Sequence, residues 1–225
     1  QMKPLDRHSE RYAASGNLAS TGVLNQLGRP KLDWLNVLVR ETVQNSWDAR
    51  LSDSTTVRYS IKGWTMTAAQ LGTLKKQVFC DIPEKFDLHD ALEQIPLKNR
   101  RGATLATATV PFSVLAISDR GTTGLGGPTR ADSPIQSDER RDFVDLLRNV
   151  GQPSNKPLGG GTYGYGKAAM FLASQVRTVC VYTRCQYKGR LQTRFLAAGL
   201  GDQYDVASPR SEAGVYTGRH WWGRR

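Results

Sequence analysis

The sequence predicts an α+β fold, with helices on one face of a mixed sheet. The order of periodic segments carries this reading: helix, strand, two helices, strand, a long loop with one helix inside it, a short helix and a hairpin. A length of 225 residues with 39% hydrophobic content is enough to bury one good core. No internal repeat is visible, so a solenoid or propeller is not indicated.

Residues 1–32 are polar, with Gly16, Gly22, Gly28 and Pro30 spread through them, and read as an irregular N-terminal strap before a single domain over 33–225. Asp33 to Arg50 reads as a helix, with Asp33 as N-cap and Leu35, Leu38, Val39 and Val43 as its apolar side. Val57 to Ile61 alternates like a strand, and Thr67 to Phe79 and Phe86 to Gln94 read as two shorter helices. Ser113 to Ser118 is apolar through Val114, Leu115, Ala116 and Ile117, the pattern of a strand in a covered sheet. Gly124 to Gly161 is rich in Gly, Pro and charge, interrupted by an amphipathic helix at Glu139 to Arg148; a stretch of this length is usually functional or mobile. Ala168 to Ser174 reads as helical, and Arg177 to Gln186 and Arg190 to Ala198 as a hairpin turning near Lys188-Gly189. Beyond Gly199 the chain is Gly-rich and aromatic and admits at most an edge strand.

Composition narrows the functional classes. No run of about 18 apolar residues occurs and the first 28 residues hold no apolar signal-like stretch, so the cytoplasm is the expected location. Cys80, Cys180 and Cys185 are expected to be reduced and partly buried, and His8, His89 and His220 are too scattered for a zinc site. The net charge of +11 attracts phosphates in general. Its densest clusters are Lys98 to Arg101 and Arg219 to Arg225, and the first leaves both a solvated loop and a nucleic-acid contact open. The closing Arg224-Arg225 pair reads as the boundary of a fragment from a longer protein.

Three segments carry chemistry. On the first helix Glu41, Asn45 and Asp48 fall within an arc of roughly 60°. A solvated face is the plain reading, but Asn45 is a poor helix former beside apolar Trp47 and Ala49. An amide oxygen here can ligate Mg²⁺, and a carboxylate beside it can polarise a water for attack on a phosphate. The second segment, Asp119-Arg120-Gly121-Thr122-Thr123-Gly124, places a carboxylate at a strand end, where it can accept from an exocyclic amine such as that of adenine; the alternative is an ordinary turn.

The third segment, Gly159 to Lys167, puts glycine amides and a lysine before a helix, an anion cradle. Gly161 to Lys167 also fits G-x-x-x-x-G-K, but Ala168 follows where a Ser or Thr should meet Mg²⁺. Gly159, Gly161 and Gly164 likewise fit G-x-G-x-x-G without a preceding strand.

Together, Glu41-x-x-x-Asn45-x-x-Asp48-Ala49, Asp119-x-Gly121 and Gly161-x-x-Gly164-x-Gly166 resemble the three sequence boxes of the GHKL ATPase superfamily. That group includes the gyrase B subunit, heat-shock chaperones of the ninety-kilodalton class, MutL, MORC proteins and histidine kinases. The Gly-Tyr-Gly-Lys ending looks more like bacterial MORC-like, MutL-like and similar ATPases than like the chaperones. The resemblance spans roughly Leu35 to Ala198; one departure is Gly124, which falls one residue later than the second box places its next glycine.

The resemblance implies a Bergerat-type two-layer α/β sandwich that binds ATP and Mg²⁺. By position Glu41 would be the general base, Asn45 the Mg²⁺ ligand, Asp48 a neighbour orienting the site and Asp119 the adenine anchor. Gly121 and Gly124 would shape the base pocket, and Gly161, Gly164, Tyr165, Gly166 and Lys167 would meet the phosphates under a lid at about 126–160. It also implies nucleotide-dependent homodimerisation through the strap in a larger, DNA-associated protein. Glu41 favours hydrolysis over the histidine-kinase-like phosphotransfer of other members. A module that binds ATP with negligible turnover is the alternative, since members of the family often need a lysine from a following domain.

Overall fold

The structure, a computed structural model, describes residues 3–17, 19, 20, 22, 33–93, 112–134, 139–148, 165–207 and 213–224. Its elements are β1 (Asp6–Arg11), α1 (Trp34–Asp48), β2 (Arg58–Thr65), α2 (Ala68–Thr73), a π-helical turn (Leu74–Val78), α3 (Asp87–Glu93), β3 (Ser113–Arg120), α4 (Asp142–Leu147), α5 (Tyr165–Leu172), β4 (Thr178–Tyr187), β5 (Arg190–Leu200), β6 (Tyr204–Val206) and β7 (Gly214–Gly223). The α+β class holds. The described strands pair antiparallel throughout rather than as a mixed sheet, in one sheet of order β1-β7-β5-β4 with β6 also on β7, and in a separate β2-β3 ribbon.

The expectation of helices on one face is corrected. Ala197 pairs with Trp222 and Ala198 with Trp221, so neighbouring residues of β5 and β7 point to opposite faces, and both faces are covered. Ala198, Leu196, Leu200 and Trp221 pack with Phe143 and Leu147 of α4 and Ala168 and Phe171 of α5. Ala197 and Trp222 pack on the other side with Leu71, Phe79, Phe86, Leu88 and Leu92. Each indole N–H finds a carbonyl on its own side, Trp221 at Leu147 (2.8 Å) and Trp222 at Asp81 (2.9 Å), so neither ring leaves a buried donor unpaired. Leu196 to Leu200 is accordingly buried without interruption, the signature of a strand covered on both sides.

Three further segments depart from the sequence reading. Asp6–Arg11, within the expected irregular strap, is a strand paired with β7 from Asp6↔Gly223 to Arg11↔Tyr216. The segment after Gly199 holds no mere edge strand: β7 lies inside the sheet, between β1 on one side and β5 with β6 on the other. β3, expected in a covered sheet, is one half of the ribbon, and Leu115 on it is 47% exposed. Of the three thiols, Cys185 alone is buried.

Local chemistry explains what does agree. The Asp33 carboxylate accepts from the Leu35 N–H at 3.3 Å and caps α1 as expected. Thr67 and Gln70 form a reciprocal capping box at the start of α2. The β4-β5 hairpin turns at Lys188 (φ 49°) and Gly189 (φ 71°), the double positive-φ conformation of a tight hairpin turn.

Candidate functional site

The first two sequence segments meet in space. A third packing cluster joins Val37 and Leu38 of α1 to Ala169 of α5, with Ile117 of β3 against it. This lays α1 across the face of the ribbon that carries Tyr59, Ile117 and Asp119. The buried residues of α1 are Val37, Leu38, Glu41, Thr42 and Ser46. The apolar side predicted from Leu35, Leu38, Val39 and Val43 is therefore rotated: Leu35 is 44% and Val43 42% exposed, and polar Glu41, Thr42 and Ser46 take their place.

Those polar residues are buried because each has a partner. Thr42 Oγ1 bonds back to the Leu38 carbonyl (2.7 Å) and meets the Tyr59 hydroxyl at 2.7 Å. Ser46 Oγ lies 3.0 Å from the Thr42 carbonyl and 2.7 Å from Asp119 Oδ2. One hydroxyl proton serves one strong bond, and the short contact to a carboxylate is the stronger. The other oxygen, Oδ1, accepts from Thr122 Oγ1 at 2.9 Å. Both hydroxyls fix the plane of the Asp119 carboxylate, which remains exposed and keeps lone pairs for a further donor. Ser46 and Thr122 are site residues that spacing did not single out; the only trace is their adjacency to Asn45 and to Gly121.

Backbone bonds reinforce the junction. The Thr123 N–H donates to the Ala49 carbonyl (2.8 Å) and Leu51 N–H to the Gly121 carbonyl (3.0 Å), with Arg50 and Thr122 bridged between them. Gly121 (φ 81°) and Gly124 (φ 65°) are left-handed. A Cβ at Gly121 would lie 2.7 Å from the Thr56 carbonyl oxygen, and one at Gly124 would overlap the Arg184 carbonyl oxygen. Both glycines thus answer to the close approach of the protein's own backbone.

Glu41 and Asn45 occupy different environments. Glu41 is 6% exposed and its Oε1 accepts from Arg40 Nη2 at 2.9 Å, while that guanidinium is half exposed. Asn45 lies about 40° around the helix from Glu41 and about 60° from Thr42, between two buried residues. It is nevertheless exposed, as is Asp48. The buried arc of α1 therefore opens at Asn45, one helical turn after Glu41. Among the described residues no group of three or more His, Cys, Asp or Glu side chains is gathered as a metal cage. An amide beside phosphate oxygens is a donor set that suits Mg²⁺, which keeps most of its waters.

Of the third segment, Gly161 and Gly164 lie outside the described residues. Tyr165, Gly166 and Lys167 open α5, whose Ala169 packs on Val37 and Leu38, so the helix that follows the glycines is seated on the helix that carries Glu41 and Asn45. The part of the expected lid that is described is anchored: Phe143, Val144 and Leu147 of α4 are buried, and Phe143 N–H donates to the Gly126 carbonyl at 3.1 Å. The segment leading into it is pinned too, since Leu125 N–H donates to Thr183 Oγ1 (2.9 Å) and its carbonyl accepts from Arg194 Nη1 (3.3 Å). Residues 135–138 and 149–160 of that lid lie outside the described residues, as does the basic cluster from Lys98 to Arg101.

Comparison of the chain with models of known protein families, with characterised proteins and with solved structures gives no significant match.

Proposed function

We propose that the chain is the ATP-binding module of a GHKL-type, Mg²⁺-dependent ATPase with a Bergerat-type nucleotide site. The observation that carries the reading is the bond between Ser46 and Asp119, which unites the first two boxes of the resemblance at one place. Asp119, held by Ser46 and Thr122, accepts a hydrogen bond from the adenine exocyclic amine. The Asn45 amide would hold Mg²⁺ together with phosphate oxygens, and the ion would supply neutralisation of phosphate charge there. Glu41 takes the proton of the attacking water as its oxygen bonds to the γ-phosphorus and ADP leaves. Glu41 lies one turn of α1 before that accessible amide, which supports its assignment to this role. Binding of labelled ATP to the wild type, and its loss in Asp119→Asn with the fold retained, tests the reading.

A second reading has its own support: Glu41 is already engaged by Arg40, as it would be in a module that binds ATP as a conformational ligand with negligible turnover. Comparing ATP affinity with hydrolysis rate, in this chain and in a longer one, separates the two. Nucleotide-dependent homodimerisation belongs to the first reading, and light scattering with and without a non-hydrolysable ATP analogue tests it. DNA association in a larger assembly remains part of the same proposal.

A further inference from the structure

The β2-β3 ribbon has two faces. One carries Tyr59, Ile117 and Asp119 and receives α1, as described above. Antiparallel register puts Arg58, Ser60, Lys62 and Trp64 of β2 opposite Arg120, Ser118, Ala116 and Val114 of β3 on the other face. The 3.0 Å contact between Ser60 Oγ and Ser118 Oγ confirms that directly opposed residues share this side. Arg58, Lys62 and Arg120 are exposed, and no acidic residue lies among these eight.

Two features of this face call for a ligand. Arg58 and Arg120 are direct cross-strand partners, an arrangement that like-charge repulsion makes unfavourable unless an anion lies between them. Trp64, 44% exposed, presents a large ring to solvent on the same side as the cations. From Arg58 to Trp64 the strand runs about 20 Å, so charge and ring lie along one line the length of several nucleotides.

We propose that this outer face of the ribbon binds single-stranded nucleic acid, with Arg58, Lys62 and Arg120 on successive phosphates and an unpaired base stacked on Trp64. The cations account for affinity to any polyanion. The ring selects for a strand whose bases are free to stack, which a duplex does not offer. The site lies on the opposite side of the ribbon from Asp119, and binding there requires no ATP, so its failure would leave the ATPase reading standing.

The test is fluorescence anisotropy of short labelled oligo(dT) and oligo(U) titrated with the protein over a salt series, without nucleotide. Simultaneous Arg58→Ser, Lys62→Ser and Arg120→Ser should lower the dependence of log affinity on log salt by about 2. Trp64→Ala should weaken binding by between about fivefold and a hundredfold with the salt slope unchanged, while Trp64→Phe should keep most of the affinity. A control triple variant at exposed Lys76, Lys85 and Arg190 should bind as the wild type does, and circular dichroism should show every variant folded. Equal loss in the control, wild-type binding by Trp64→Ala, equal or tighter binding of a duplex, or binding of phosphatidylserine vesicles in place of oligonucleotide would each overturn the assignment.

Discussion

Ser46 and Asp119, 73 positions apart in the chain, meet in a hydrogen bond of 2.7 Å that ties the helix of Glu41 and Asn45 to the end of β3. Replacing Ser46 with Ala leaves Asp119 one hydroxyl partner, Thr122, and frees the carboxylate to rotate. The expected cost is about 1 kcal/mol of stability, because the exposed carboxylate recovers part of the bond from water. ATP affinity should fall further than stability does, since the carboxylate proposed to accept from adenine is no longer held in one plane. A double-mutant cycle of Ser46→Ala with Asp119→Asn, read by thermal unfolding, should show coupling; additive effects would mean the two side chains act independently.

Gly124 is expected to tolerate no side chain. Its left-handed backbone and the Arg184 carbonyl oxygen leave no room for a Cβ. Gly124→Ala should lower stability by more than about 1 kcal/mol, measured by urea unfolding. Gly189 is a matched comparison, because its φ is also positive but no atom lies within 4 Å of an added Cβ. Gly189→Ala should cost less than Gly124→Ala.

The anchoring of α4 makes a prediction about the expected lid. Phe143 is 4% exposed and packs with α5, β5 and Trp221. Phe143→Ala should destabilise the whole domain by about 3–5 kcal/mol. If α4 instead moved as part of a mobile lid, hydrogen exchange in α4 would be fast and the same substitution would leave the unfolding midpoint nearly unchanged.

His220 sets a pH dependence. Burial, with the nearby positive charge of Arg7 adding to it, lowers its pKa from 6.5 to about 4. The neutral ring shares a 2.9 Å hydrogen bond through Nδ1 with Ser9 Oγ, on β1 opposite it. The folded pKa lies below the unfolded one, so as pH falls the unfolded chain binds the proton first. The stability tied to neutral His220 is complete above about pH 6.5 and is lost as pH falls from there towards 4, by roughly 3 kcal/mol. His220→Gln should flatten that part of a stability-versus-pH curve; an unchanged curve would assign the dependence to other groups.

What was legible in the sequence was local. Asp33 as a cap and Lys188-Gly189 as a turn depend on the chemistry of a few adjacent residues, and both stand. The orientation of α1 was not legible, because Glu41, Thr42 and Ser46 are buried only by virtue of Arg40, Tyr59 and Asp119, two of which come from other elements. β1 is not legible for the same reason: its pairing with β7 links Ser9 to His220 across 211 positions, and Asp6–Arg11 is polar throughout, with no apolar residue to mark a face. Spacing did place Asn45 and Asp119 in separate boxes, but it is Ser46, a residue without a pattern, that joins them.

In the proposed function Glu41 and Asp119 divide ATP chemistry between hydrolysis and binding. Its most direct test is ATP affinity and phosphate release measured together on wild type, Glu41→Gln and Asp119→Asn, each shown to be folded. Glu41→Gln should bind ATP as the wild type does but release phosphate at no more than about a hundredth of its rate, and Asp119→Asn should bind none. Full phosphate release by Glu41→Gln, or undiminished ATP binding by Asp119→Asn, would contradict it.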